Sequence, residues 1–321
     1  MKVLVIGKRG GITNWEAEVT AGLRAFGHQA EFHAVRDTRI SPHLQRLFWG
    51  PIAAAINRRI DRWRPDLILA VGGWGVEEAV IARVADKADR PPLAGWVGDQ
   101  FDERRVSNLN RFDLVGYTDS AMLETHRRLG VKPPAAFIPH AADLAAAQGQ
   151  PLDGARRERM LFVGNPTPGR RALVAQVRPA LALYGVGWAD PAGVEHHETH
   201  GRRISRDELA RLYASHFACL NIRNEINVLD GLNQRNFSPL ALGCTVVTDR
   251  QKDLALCFEA GSEILVYDDA QGLDALYREI LAHPALARET GERGRRRVLA
   301  DHTYDQRLKA FAELAGVSPA R

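Results

Sequence analysis

Asn233, Gln234 and Arg235 stand together just ahead of Ser238-Pro239 in the stretch DGLNQRNFSPLALG, residues 230–243. Side-chain amides and a guanidinium are strong donors, and arginine pairs with phosphate oxygens through two parallel bonds. Ser238 is a good N-cap, Pro239 suits a first helical position and Gly243 supplies a stop. The spacing therefore predicts a very short helix whose positive end points back at Asn233 and Arg235. Such an end attracts an anion such as a diphosphate. An exposed helix end contributes only about 0.3–1 kcal/mol, so the arginine must supply most of the affinity.

Other loops carry related chemistry where short apolar runs end in glycine. LFVGNPTPGRR places Gly164-Asn165 after one run and brings Arg170 and Arg171 in at the start of the next helix. Glycine lets a ligand approach the backbone, and an arginine there can meet a phosphate. LYGVGW ends a further run in Gly187 and Trp188, a possible platform for a nucleobase, and Asp249 lies just past the run TVVT. In the first half, GKRGGITN sets Gly10 and Gly11 between a strand and a helix. It lacks the GxGxxG spacing and the acidic partner of a dinucleotide site, which leaves a generic ligand loop or a tight turn. Trp74 in VGGWG reads either as a stacking surface or as a plug between helix and sheet. Asp99 in WVGDQFDE is a candidate base or hydroxyl-orienting group, or else a cap for the next segment. His140 in IPHAAD is a second candidate base, against a structural role. The cluster EHHETH, residues 195–200, is not HExxH, because two residues separate His197 from His200; it reads as a solvated loop and not as a metal site.

These residues need elements to hold them. Short β-rich runs alternate with helical patterns: strands are predicted at 2–6, 31–35, 67–71, 93–97, 114–116 and 136–138, then at 160–163, 182–184, 218–222, 245–248 and 264–267. Thr13 with Glu16, and Ser205 with Glu208, form capping boxes, and Gly27 stops the first helix. Continuous apolar strands in βα alternation imply an α/β protein with parallel sheets covered on both faces. The segment HAADLAAAQGQPLDGARRERM breaks the pattern. It divides the chain into two Rossmann-like domains, 1–145 and 155–300, followed by a terminal helix in 301–321. Ligands bind outside the carboxyl ends of such strands, so two such domains facing one another would frame a cleft.

The composition narrows the classes. A net charge of +4, from 43 basic and 39 acidic residues spread along the chain, does not mark a nucleic-acid protein. No stretch approaches the roughly 18 apolar residues a membrane span needs. Cys219, Cys244 and Cys257 sit in or beside apolar runs without CxxC spacing, as thiols of a reducing, cytoplasmic compartment do.

The ordered run LFVGN…RR…LYGVGW…ISRDELARLYASHFACLNI…GLNQRNFSPLALGCTVVTD…LCFEAGSEILVYDD…HTYDQR resembles the C-terminal half of group-1 glycosyltransferases of the GT-B fold. More narrowly it resembles their CgeB-like (spore maturation protein-like) branch. The resemblance spans about residues 160–307, and WVGDQFDE with RFDLVGYTDSAMLETHRRLG…IPHAAD extends it more loosely. It implies a nucleotide-diphosphate sugar held mainly by the C-terminal domain, through Gly164, Asn165, Arg170, Arg171, Gly187, Trp188, Asp230, Asn233, Arg235, Ser238 and Asp249. It implies an acceptor, a glycan, protein or small molecule, on the N-terminal domain near Gly10, Gly11 and Trp74. Asp99 or His140 would be the base of an inverting reaction. No cofactor and no metal are implied, and the helix at about 304–314 would cross back to the first domain. Asp230 and Ser238 stand where many group-1 enzymes carry two glutamates with seven residues between them. A serine cannot give the second glutamate's bidentate grip on ribose. Two alternatives follow: a GT-B protein that binds a nucleotide, glycan or partner without catalysis, and, from βα alternation alone, a nucleotide-dependent oxidoreductase.

Overall fold

The computed structural model describes residues 1–9, 15–37, 40–73, 76–150, 156–224 and 227–317; Gly10, Gly11, Thr13, Trp74 and Pro151 lie outside them. The chain forms two compact units: Met1–Pro139 with Ile226–Gly231 and Tyr304–Arg321, and His140–Glu225 with Leu232–Thr303. The short segment 226–231, which the sequence pattern leaves inside the second domain, thus belongs to unit 1.

Unit 1 is built on strands β1 (Lys2–Arg9), β2 (Gln29–Asp37), β3 (Leu67–Val71), β4 (Leu93–Val97), β5 (Leu114–Tyr117) and β6 (Ala135–Phe137). They form one parallel sheet in the order β2-β1-β3-β4-β5-β6. Every residue of β3 and β4 is buried, as strands covered by helices on both faces must be. The helix Trp49–Trp63 turns Ala53, Ile56 and Ile60 inward at helical spacing, onto a core with Leu4, Ile6, Val80 and Ile81. β1 runs past its predicted end: a register shift after Gly7 lets Lys8 and Arg9 pair with Arg36 and Asp37. Gly7 and Lys8 therefore lie on a strand, and the loop begins later than the glycines alone suggest.

The helix Tyr304–Leu314 packs within unit 1. A Cβ at Gly22 would stand 2.3 Å from the Tyr304 ring, so only glycine admits that ring. Phe311 meets Trp96 edge-on at 5.5 Å, and Arg307 Nε donates to the Pro139 carbonyl at 2.7 Å. Asp305 bonds His28 at 2.8 Å and Lys309 at 2.7 Å. Burial pushes the Asp305 carboxyl up, but the bonds from Lys309 and His28 outweigh it and hold it below the usual range. A depressed carboxyl stabilises the fold above its unfolded pKa and loses that contribution as pH falls through the folded value. Asp305→Asn is therefore expected to cost about 1 kcal/mol near neutrality and progressively less as pH falls below the ordinary aspartate range. Urea unfolding at neutral and acidic pH checks this, and a gap that stays constant would remove the carboxylate as its cause.

Unit 2 carries β7 (Leu161–Val163), β8 (Ala182–Tyr184), β9 (Glu198–His200), β10 (Ala218–Asn221), β11 (Thr245–Asp249) and β12 (Leu265–Tyr267). Its parallel sheet runs β12-β11-β10-β7-β8-β9. Phe162, Leu183, Trp188, Leu220 and Val247 share its core with Tyr277 and Ile280. Strand β9 corrects the reading of EHHETH as a loop for its second half, Glu198–His200, while residues 195–197 form the turn before it. Edge strands tolerate charge, which hides their pattern. Glu198 receives Arg157 and Arg159, and His200 stacks on Tyr184 at 4.1 Å. His197 is structural: its Nδ1 accepts from Leu181 N at 3.1 Å while Nε2 donates to the Val174 carbonyl at 2.9 Å. Burial lowers its pKa, which keeps that neutral form. Among the described residues no group of three His, Cys, Asp or Glu is arranged to hold a metal ion, and no helix is long and apolar enough to cross a membrane.

Candidate functional site

In unit 2 the strand order reverses between β7 and β10: the chain winds outward to β8 and β9 on one side and to β11 and β12 on the other. The loops after the two adjacent strands diverge there, and open α/β sheets bind their ligands at that point. Arg170 joins the two loops. Its Nε and one terminal nitrogen donate to the Ile222 carbonyl beyond β10, at 3.2 and 2.8 Å, and the other terminal nitrogen donates to the Asn165 carbonyl beyond β7 at 3.0 Å. Its guanidinium lies over the Phe162 ring. Burial, reinforced by the charge of Arg235, lowers its pKa to about 10, so it stays cationic at neutral pH.

The floor of this site is a polar network centred on Asn221, the last residue of β10. Its Nδ2 donates to Asn236 Oδ1 at 3.1 Å and to Thr248 Oγ1 at 3.0 Å. Its Oδ1 accepts from Asn233 Nδ2 at 3.0 Å and from Arg235 Nε at 3.1 Å. Tyr267, at the end of β12, donates its hydroxyl to the Asn221 carbonyl at 3.1 Å. Asn221, Asn236 and Thr248 are wholly buried, so each needs these partners. The network fixes the stem of Arg235 through Nε, and its terminal nitrogens have no bond partner among the described residues. Burial lowers the pKa of Arg235, and no carboxylate bridges it. A cation held by its stem with its outer donors available is fitted to an incoming anion.

Asn221→Leu keeps side-chain volume and removes all four of these bonds. It strands the Asn233 amide and Arg235 Nε, for an expected loss of about 2–3 kcal/mol in unfolding free energy. A change below about 0.5 kcal/mol in urea unfolding would contradict the network's role.

The short helix occupies Ser238–Ala241, and Gly243 follows it with φ +64°. Ser238 is not its cap: it is the first helical residue, and Phe237 stands at the N-cap position without a side-chain cap bond. Asn233 caps the separate turn Gln234–Asn236, accepting from Arg235 N at 2.9 Å while Asn236 Oδ1 accepts from Asn233 N at 3.1 Å. Ser238 Oγ instead accepts from Asp143 N at 3.3 Å. Asp249 ends β11 and pairs with Arg223 at 3.2 Å; burial raises its pKa against the pull of Arg223.

The remaining candidates separate. Trp188 is wholly buried, its Nε1 donating to the Gly164 carbonyl at 2.8 Å, so it plugs the core and offers no stacking face. Gly187 packs against Pro166, where a Cβ would come within 2.6 Å. Arg171 donates to the carbonyls of Gly187, Asp190 and Ala192 and lies over Trp188, which ties down that turn. Gly164 and Asn165 do line the β7 loop, with Asn165 Oδ1 accepting from Val186 N. Asp230 belongs to unit 1, where its amide and that of Leu229 donate to Asp119 Oδ2 at 3.1 and 2.8 Å. Asp99 is also in unit 1, just beyond β4; burial raises its pKa, against the charge of Lys8 and a bond from Asn227. His140 is buried and belongs to unit 2. Asn221, Asn236, Thr248 and Tyr267 were not singled out from the sequence. A polar residue closing the apolar run ACLN was the available sign for Asn221.

Residues 168–313 match the family described as glycosyl transferase-like. No curated protein sequence matches the chain. Solved structures resemble it over nearly its whole length. Sucrose-phosphate synthase from Thermosynechococcus elongatus is 17% identical with a TM-score of 0.64, the match covering 98% of both chains. Anabaena HepE, in complex with UDP and glucose, is 14% identical with a TM-score of 0.69, covering 98% of this chain and 99% of that one. A glycosyltransferase from Rickettsia africae is 9% identical with a TM-score of 0.64, covering 98% of each. The two parallel six-stranded sheets are those of the GT-B fold.

Proposed function

We propose that this GT-B chain, with its glycosyl transferase-like domain over residues 168–313, moves a sugar from a nucleotide-diphosphate donor to an acceptor hydroxyl. The observation that carries the reading is Arg235, held by Asn221 and open at its outer nitrogens, beside Arg170 at the β7/β10 reversal of strand order. Two guanidinium groups at that point suit a diphosphate, whose charge develops further as the sugar–phosphate bond breaks. Anabaena HepE, which shares the fold, holds UDP. In this reading Asn233, Arg235 and the Gly164-Asn165 turn take the diphosphate. Arg170 supplies charge from below, and Asp249 faces the donor's polar groups.

Unit 1 supplies the acceptor-side groups, with Asp99 taking the proton of the attacking hydroxyl in an inverting transfer. The arginines take the place of a metal ion in neutralising the leaving diphosphate, so transfer needs neither metal nor cofactor. Motif order and spacing support placement in the CgeB-like branch. The buried thiols Cys219, Cys244 and Cys257 support a cytoplasmic location. Titration calorimetry with UDP, in the presence and absence of EDTA, tests the donor half. The expected result is micromolar binding that EDTA leaves unchanged; no binding of UDP, ADP or GDP would reject it.

The non-catalytic alternative has one specific support: Ser238 accepts from Asp143 N and presents no carboxylate. Binding without turnover across donors and acceptors would favour it.

A further inference from the structure

Unit 1 contains a cavity of about 610 Å³ at the carboxyl ends of β1 and β2, beside Val76 and Glu77. The unit's strand order reverses there, between β1 and β3. Its walls carry Lys8, Arg36, Arg105 and Arg111 with Glu77 and Glu78, and Arg111 faces Asp86 at 3.7 Å. The acids are partly engaged, Glu78 accepting from Ser107 Oγ at 2.9 Å and Glu77 facing Arg36 at 3.7 Å, beyond a hydrogen bond. Two further wall atoms, Arg36 Nε and Trp49 Nε1, are buried donors without an acceptor among the described residues. A buried donor without an acceptor is unfavourable, and a ligand that brings oxygens removes the deficit.

Lys8 and two unmatched donors, in a space of the size that holds small ligands, call for an anion with several oxygens. We propose that this cavity seats the phosphate group of a phosphorylated acceptor, with Arg36 Nε and Trp49 Nε1 bonding its oxygens and Lys8 supplying charge. The proposal rests on the transferase reading for the word acceptor, but not for the anion itself. Lys8 also acts electrostatically on Asp99, which links the cavity to the candidate base. The segment leading into Trp49 exposes Ile40, Leu44, Leu47 and Phe48, so a phosphate carried by a lipid is one of the two sources to distinguish.

The test is calorimetric titration of the full chain with glucose 6-phosphate, glucose and UDP, and co-sedimentation with phosphatidylcholine vesicles with and without phosphatidic acid. Glucose 6-phosphate is expected to bind where glucose does not. Arg36→Gln and Trp49→Phe, which keep stem and ring, should each weaken it roughly tenfold and leave UDP affinity unchanged. Binding only to phosphatidic acid vesicles, lost in the same two variants, assigns the phosphate to a lipid and also supports the site. Absence of both, or binding equal in wild type and variants, overturns it. If UDP does not bind while the phosphate probe does and the variants lose it, the transferase reading fails and the anion site stands.

Discussion

Arg235→Ala is expected to weaken nucleoside-diphosphate binding by about 3 kcal/mol, roughly 150-fold in Kd. Asn221 Oδ1 takes Arg235 Nε, so the guanidinium is set in place before any ligand arrives, and little side-chain freedom remains to be lost on binding. Its outer nitrogens can then both donate to one phosphate. Removal should leave the fold intact, because Asn221 Oδ1 keeps Asn233 Nδ2 as a donor at 3.0 Å. Arg235→Lys keeps the charge and loses the fork, and should fall between the two. Calorimetry against UDP, with Tm measured in parallel, decides it. An alanine variant within twofold of the wild type would place the diphosphate elsewhere.

Asp99→Asn is expected to lower kcat by roughly 10²- to 10⁴-fold while donor Kd stays unchanged, the pattern of a lost general base. Burial pushes the Asp99 carboxyl up, and Lys8 and Asn227 pull against it. A base works deprotonated, so kcat/KM should rise with pH through a value above the ordinary aspartate range. Removing the opposing charge with Lys8→Met should move that rise to still higher pH. A kcat within threefold of the wild type in Asp99→Asn would mean that Asp99 is not the base, as in a retaining transfer or one that relies on His140.

The sheets were legible because their signal is local. Runs such as LILAV and LAGWV are apolar throughout, which only a strand covered on both faces requires. Ser205 caps its helix as the capping box predicts, accepting from Glu208 N. The features that escaped depend on partners far apart in sequence. Asn221 reads as one polar residue at the end of an apolar run; its importance comes from Asn233, Arg235, Asn236 and Thr248, which the fold delivers. Ser238 loses its capping role because an extra turn, Gln234–Asn236, leads straight into the helix and makes Ser238 its first residue; the amide pair Asn233 and Asn236 caps that turn reciprocally. Segment 226–231 joins unit 1 through Asp119, more than a hundred residues earlier, and Gly231 fits there because a Cβ would come within 2.7 Å of the Asp119 side chain. Trp188 followed glycine as a ligand platform would, but a ring that fills the core has the same sequence context. The arginines show the same limit: Arg170 and Arg171 are neighbours in sequence, yet one spans the switch point and the other secures a turn.

In the proposed function the Arg235 site holds a sugar nucleotide for transfer. The most direct measurement follows release of free nucleoside diphosphate from a panel of nucleotide sugars, with phosphorylated and unphosphorylated acceptors, in wild type and Arg235→Ala. Time-dependent release is expected from at least one donor, stimulated by an acceptor and lost in the variant. Binding of a nucleotide sugar with no release under any acceptor, or release that Arg235→Ala leaves intact, would contradict it.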